Sequence, residues 1–393
     1  MDRVAERKQV RQAMAWFRAH EEELRRLQLE LVQIPAPPFG EAARGKWLEQ
    51  RFLERGLEGV QVDEVGNVLG LLRGTRTEAG VVAISAHIDT VFPAGSPLEV
   101  RREGNRIYGP GISDNGAGVI ALLALAGALR DSAVRPGSSI LFVGNVGEEG
   151  EGDLRGMRHL FTASPYKDGI AYTVVLDGAT TDTIVTQGLG SRRFEITVHG
   201  PGGHSWSDFG APNPILILSH VLESLSRLPL PGEPRTTLNV GVIGGGTSVN
   251  SIPESAWARI DIRSASVGEI DRLEGALREI VAVEAGSKSA RAAGVRFEVK
   301  IIGSRPAAEL DPRSRIVEVM QAVDEHLGNP SHLHRASTDA NIPFSMGAQA
   351  ISIGAGGKGG DAHTLHEWYD ATGRDLGLKR ALLAVLTLAG VEE

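Results

Sequence analysis

Apolar residues recur at helical spacing from position 10 to position 33. The pattern stops at Pro35, Pro37 and Pro38, so one amphipathic helix is expected there. Residues 41–55 fit a second helix. After it the apolar positions gather into short runs at 66–72, 81–86, 139–144 and 173–176, which read as strands. The runs at 81–86 and 139–144 are almost unbroken, as expected of strands covered on both faces. A helical stretch at 116–130 lies between them. This alternation predicts an α/β domain with a mostly parallel mixed sheet and helices on both faces.

From about residue 189 the pattern changes. A strand at 192–198, a helix at 214–228, strands at 237–242 and 256–262, a helix at 267–285 and a strand at 295–302 follow one another. That β-α-β-β-α-β order fits a compact α+β sandwich. The α/β pattern then returns with a helix at 312–327, a strand at 350–353 and a helix at 371–389. One domain therefore reads as inserted into another: 1–188 and 303–393 form the first, 189–302 the second. There is no internal repeat.

Composition narrows the chemistry. The chain has no cysteine, which removes disulfides, thiolate nucleophiles and cysteine-held zinc. Any metal must be held by His, Asp and Glu. The formal net charge is −8, and no basic stripe or arginine-rich arm is present, which argues against a nucleic-acid partner. The longest apolar runs, 119–129 and 381–391, are too short to span a bilayer. The first eight residues are charged and lack the apolar core of a signal peptide. A soluble, cytoplasmic protein is expected.

Four stretches at or beyond the ends of predicted strands carry chemistry. In Ser85-Ala86-His87-Ile88-Asp89-Thr90, a His and an Asp two apart on extended chain point the same way. Asp89 is thus placed to hold the ring nitrogen of His87 that faces away from a metal. By itself this pair is a weak signal and reads first as a surface His beside an acid. In Gly109-Pro110-Gly111-Ile112-Ser113-Asp114-Asn115-Gly116, glycines surround an acid just before a helix, so Asp114 is either a metal bridge or a helix N-cap. In Gly147-Glu148-Glu149-Gly150, two adjacent carboxylates point in different directions; one can bind metal while the other handles a proton. Asp177 closes the apolar run at 173–176, and Asp361-Ala362-His363-Thr364 lies in a glycine-rich loop. His87, Asp114, Glu148, Glu149, Asp177 and His363 all fall outside the carboxyl ends of strands, where open α/β sheets place their sites. The donor set suits zinc, cobalt or manganese.

With these residues in this order, the chain resembles the M20 family of metallopeptidases, which includes aminoacylases, deacetylases, desuccinylases, dipeptidases and tripeptidases. The resemblance covers almost the whole length, including the inserted domain, which in that family is a lid that also makes a homodimer. It implies two divalent ions, zinc foremost, with His87 and Asp177 on one and Glu149 and His363 on the other. Asp114 would bridge them and Glu148 would be the general base. Within the insert, His199-Gly200-Pro201-Gly202-Gly203-His204-Ser205 resembles the lid segment whose His, here His204, reaches the partner subunit's site. The stretches around Asn250 and Arg263 resemble lid segments that touch substrate, and Arg263 with the loop holding Gly356 permits binding of a substrate carboxylate.

Three departures stand out. Gly116 occupies a position where many members have Lys, Trp206 follows the lid His where smaller residues are common, and the third acid is Asp177 rather than Glu. The stretch from Asp114 to Gly118 is also similar to the M28 aminopeptidases, but these lack the insert. No Gly-x-Ser-x-Gly nucleophile elbow exists in the sequence. The expected activity is metal-dependent hydrolysis of an amide bond in a small peptide, by a dipeptidase or aminopeptidase. The alternative is an N-acyl amino acid deacylase. A silent metal-binding scaffold is disfavoured, because it would have no use for Glu148.

Overall fold

The computed structural model describes residues 2–76, 80–286 and 294–392. The chain divides into two compact units. One comprises Met1–Gly188 with Glu309–Glu393, the other Leu189–Ala308.

The first unit is built on a mixed sheet. Its strands run in the order Glu58–Val62, Val68–Leu72, Ile140–Asn145, Val81–His87, Ile170–Leu176, Gln349–Ile353 and Thr183–Gly188, with His332–Ala336 also pairing the last. Val81–His87 is parallel to both neighbours, and Ile170–Leu176 is parallel to Gln349–Ile353. Glu58–Val62 and Val68–Leu72 are antiparallel additions at one side. Every residue of Ile140–Asn145 is buried, as are all but the first of Val81–His87, so these runs of Ile, Leu, Phe and Val are covered on both faces. The helix Gly116–Asp131 is apolar nearly all round and packs on Val81–His87 and Ile170–Leu176. Three adjacent parallel strands thus end at one edge of the sheet, with His87 beside Asn145 in register.

The second unit is a two-layer sandwich. Its antiparallel sheet runs Thr236–Gly245, Ser255–Ser264, Gly190–His199, Arg296–Arg305. Ser255–Ser264 alternates strictly between buried and half-buried positions. Ala258, Ile260 and Ile262 meet Leu218, Leu225, Leu273 and Leu277 of the helices Pro214–Ser226 and Val267–Ala285. Asn213 and Ser266 cap those helices with their side chains. On the other face, Arg193 pairs with Asp261 at 3.2 Å and Arg259 with Glu195 at 2.9 Å.

Among the differences from the sequence reading, three bear on the architecture. The helix expected over 10–33 is two, Lys8–Ala19 and Glu21–Val32. His20 breaks it, its ring stacked on Trp16 at 3.8 Å, and Glu21, Glu22 and Glu23 fill the favourable first turn of the second helix. The chain returns to the first unit after Ala308 rather than after 302, because Arg296–Arg305 stays paired with Gly190–His199 up to Arg305. The strand His332–Ala336 was not expected; four of its five residues are exposed, so it has no apolar run to read. Among the described residues, no helix is long and apolar enough to cross a membrane.

Candidate metal centre

His87 is the last residue of its strand and is buried. Its Nε2 lies 3.2 Å from Asp114 Oδ1 and 3.8 Å from Asp177 Oδ1. Asp177 follows the neighbouring strand Ile170–Leu176, and its N–H donates to the Ile353 carbonyl at 2.9 Å. On the other side of Asp114, His363 Nε2 lies 3.1 Å from Asp114 Oδ2 and 3.1 Å from Glu149 Oε1. Among the described residues, three triads bring their donor atoms within 4.8 Å of one another: His87, Asp114 and Asp177; His87, Glu148 and Glu149; Asp114, Glu149 and His363. Asp114 belongs to two of them and faces one histidine with each oxygen.

The electrostatics favour a cation. Burial works against a charge on His87, but Asp114, Asp177 and Asp89 outweigh it and hold its pKa well above the ordinary value. Asp114 and Glu149 push His363 up to about 10. Burial disfavours the charged form of Asp114, yet the two imidazoles hold its carboxyl well below the usual carboxylate range. Both histidines are thus drawn toward protonation by the carboxylates, and divalent ions would take the place of those protons. Asp114 Oδ1 is buried and has no aligned hydrogen-bond partner, as suits an oxygen meant for a metal. The residues present fit two divalent ions.

Backbone contacts hold the donors in place. Asp89 faces the outer ring nitrogen of His87 and does more besides. The ring nitrogen Nδ1 of His87 meets the main-chain carbonyl of Asp89 at 3.1 Å, and the carboxylate stands 3.7 Å away. That carboxylate also accepts the N–H groups of Glu148 and Glu149, at 3.1 and 2.7 Å. It fixes the glutamate turn, because a buried carboxylate must find donors and these two are the nearest. Helix Gly116–Asp131 is capped by Asn115, whose Oδ1 accepts from Gly118 N, not by Asp114. Asn115 Nδ2 donates to Leu176 O at 2.8 Å and its Oδ1 accepts from Gly178 N at 3.2 Å, which ties the Asp114 loop to Asp177.

The sequence reading missed Glu367. It is fully buried and accepts the N–H groups of Gly111, Ser113 and Asp114 at 2.7–2.8 Å, clamping the Asp114 loop to the His363 loop. Burial drives its pKa up to about 7, with Asp114 adding to the rise and the three N–H groups opposing it. Asp339 was missed too: it is fully buried, accepts from Asn145 Nδ2 at 2.7 Å, and burial pushes it to about 7. Neither stands in an apolar run that would mark it as buried.

Of the expected substrate contacts, Gly356 is buried; its N–H donates to Thr180 O at 3.2 Å and its carbonyl accepts the Tyr369 hydroxyl at 3.0 Å, which shapes its loop. In the second unit, Arg263 Nε is 2.6 Å from Asp261 Oδ2, and the Asn250 carbonyl accepts Ser205 N–H at 3.0 Å. His204 pairs with Ser251 across a two-residue ladder.

Residues 83–386 match the sequence profile of Peptidase family M20/M25/M40. The chain belongs to this family. A probable carboxypeptidase of Uncinocarpus reesii is 30% identical over 255 residues, 58% of this chain and 55% of that protein. The succinyl-diaminopimelate desuccinylase of Corynebacterium glutamicum is 28% identical over 242 residues, 60% of this chain and 64% of its own. The chain spans about half the length of the fungal relatives it matches. Two solved M20-like folds, aminopeptidase PepT of Bacillus cereus and the dipeptidase Dug1p of Saccharomyces cerevisiae, superpose with TM-scores of 0.71 and 0.75. Their identities are 21% and 13%; they cover 94% and 97% of this chain, and 98% and 99% of their own.

Removing the Glu367 clamp tests how the centre is held. Glu367→Ala leaves three buried N–H groups unpaired, at about 1–3 kcal/mol each. We expect metal content after dialysis to fall below wild type and the denaturation midpoint to drop. Wild-type metal retention in a folded Glu367→Ala protein would rule the clamp out.

Proposed function

We propose that the protein is a metal-dependent hydrolase that cleaves an amide bond in a small peptide, acting as a dipeptidase or aminopeptidase. The observation that carries this reading is the position of Asp114 between His87 with Asp177 on one side and His363 with Glu149 on the other. In this reading those five residues hold two divalent ions, with zinc first among them. Such ions supply a water of lowered pKa and polarise a carbonyl.

The adjacent glutamates divide the remaining work. Glu149 joins two triads and touches His363, whereas Glu148 joins one, so Glu149 is assigned to metal and Glu148 to the proton. Glu148 takes the proton of the attacking water on its carboxylate and passes it to the nitrogen of the leaving amine. The Asp89 carboxylate holds the main chain of both glutamates while this happens. His204 is assigned to the oxyanion at the neighbouring subunit's site, in a homodimer made through the second unit. Its tautomer supports that role: Nδ1 accepts the N–H groups of Trp206 and Ser207 at 3.2 and 3.3 Å, which leaves the proton on Nε2 as a donor.

Relatives carry both peptidase and desuccinylase names, so N-acyl amino acid deacylation is the second reading. Asp177 as the third acid favours the peptidase branch. Arg263 as a carboxylate receptor serves either branch, once freed from Asp261.

Glu148→Gln is expected to lower turnover by ~10²-fold or more at near wild-type metal content. If it empties a metal position while Glu149→Gln does not, the two roles are exchanged. For substrate class, the zinc-loaded enzyme should cleave di- or tripeptides with a free amino terminus faster than N-acetyl amino acids of matching side chain. Faster cleavage of the acylated series would move the protein to the deacylase branch.

A further inference from the structure

Pro37-Pro38-Phe39-Gly40 forms a tight turn, closed by Gly40 N–H donating to Pro37 O at 2.8 Å. Its third residue, Phe39, sits at φ 69°, a left-handed conformation that this kind of turn normally gives to glycine or asparagine. Phe39 is also 69% exposed. A large aromatic here adds little to the core and strains the backbone, and such an outlier calls for a functional account.

The turn is tied to the metal centre from both ends. Before it, the Ala36 carbonyl accepts the N–H of Thr90, next to Asp89. After it, Glu41 is buried and accepts from Arg155 Nη2 at 2.7 Å. The Arg155 guanidinium lies 4.6 Å from the Phe39 ring centroid. The same guanidinium lies against Gly147, where a Cβ would collide with it, and Gly147 immediately precedes Glu148. The ring therefore stacks on a guanidinium that itself lies against the turn carrying Glu148. Within the first unit, an exposed apolar ring thus stands one guanidinium away from Gly147, the residue before Glu148.

We propose that Phe39 is a specificity-determining residue: its ring is the apolar wall that receives the side chain of the amino acid leaving with the new amine. The assignment rests on the proposed function only in taking Glu148 as the proton donor to that amine. It holds equally for a dipeptide and for an N-acyl amino acid, because both release a free amino acid on that side. An apolar contact of this kind is worth roughly 10–200-fold in discrimination.

The test uses the zinc-loaded full chain as wild type, Phe39→Ala, Phe39→Gly and Phe39→Leu. Two readouts are taken: kcat/KM for Gly-Leu against Gly-Gly and for N-acetyl-leucine against N-acetylglycine, and calorimetric binding of free leucine against glycine. We expect a leucine preference in wild type, a roughly tenfold or greater loss of it in Phe39→Ala, and retention in Phe39→Leu. Phe39→Gly should lose the preference without a lower Tm, because glycine relaxes φ 69°; this separates selectivity from folding. A binding preference that depends on Phe39 in a protein that cleaves none of these amides would sustain the inference and sink the proposed activity. An unchanged leucine-to-glycine ratio in Phe39→Ala, a parallel fall for every substrate, or no binding preference in wild type would overturn the inference.

Discussion

Asp89, Asp114, Glu148, Glu149 and Asp177 gather around two histidines at one edge of a sheet, and the mutual repulsion of those carboxylates is the constraint that the surrounding loops answer. Each acid finds a specific answer. Asp114 has an imidazole at each oxygen, and Asp89 has two backbone N–H groups. Behind them, the fully buried Arg44 donates to the carbonyls of Ile34 and Ile88, and its charge faces Asp89 and Glu367. At Asp339 and Glu367 burial outweighs the nearby charges and hydrogen bonds and raises the pKa toward neutrality instead. Placing divalent ions among the donors neutralises the rest, which is why the ligand set and the fold around it are one problem.

The parallel sheet makes the gathering possible. Because Val81–His87 is flanked on both sides by parallel strands, the turns after Asn145 and Leu176 come to the same edge as His87. A helix starting at Gly116 then brings Asp114 across that edge, with Asn115 joining the two structures. Residues from five separate stretches meet there; the Asp114–Asn115 peptide bond is cis, and Asp361 and His363, with φ of 56° and 66°, mark a loop bent to reach the cluster.

Much of this was legible in the sequence, and for a physical reason. Fully buried strands have no polar alternation to confuse, so the runs at 81–86 and 139–144 declared themselves, and the acids and histidines just beyond them stood out against apolar neighbours. What was hidden depends on partners distant in sequence. Asp89 reads as a partner for the His87 ring because the two are adjacent; its carboxylate also serves the Glu148 turn, which no local pattern reveals. Glu367 looks like any acid in a loop until three N–H groups from residues 111–114 converge on it. Asn115 and Asp114 are both good helix caps, and only the tie to Leu176 decides between them.

The central claim is that Asp114 stands between two ions, one on the His87 side and one on the His363 side. Anomalous diffraction at the zinc edge, from crystals of the full chain grown with zinc, measures this directly. The account predicts two peaks per chain, about 3.5–4 Å apart, with Asp114 touching both, His87 on one and His363 on the other. A single peak ligated by both histidines, or two peaks with Asp114 on only one of them, would contradict it.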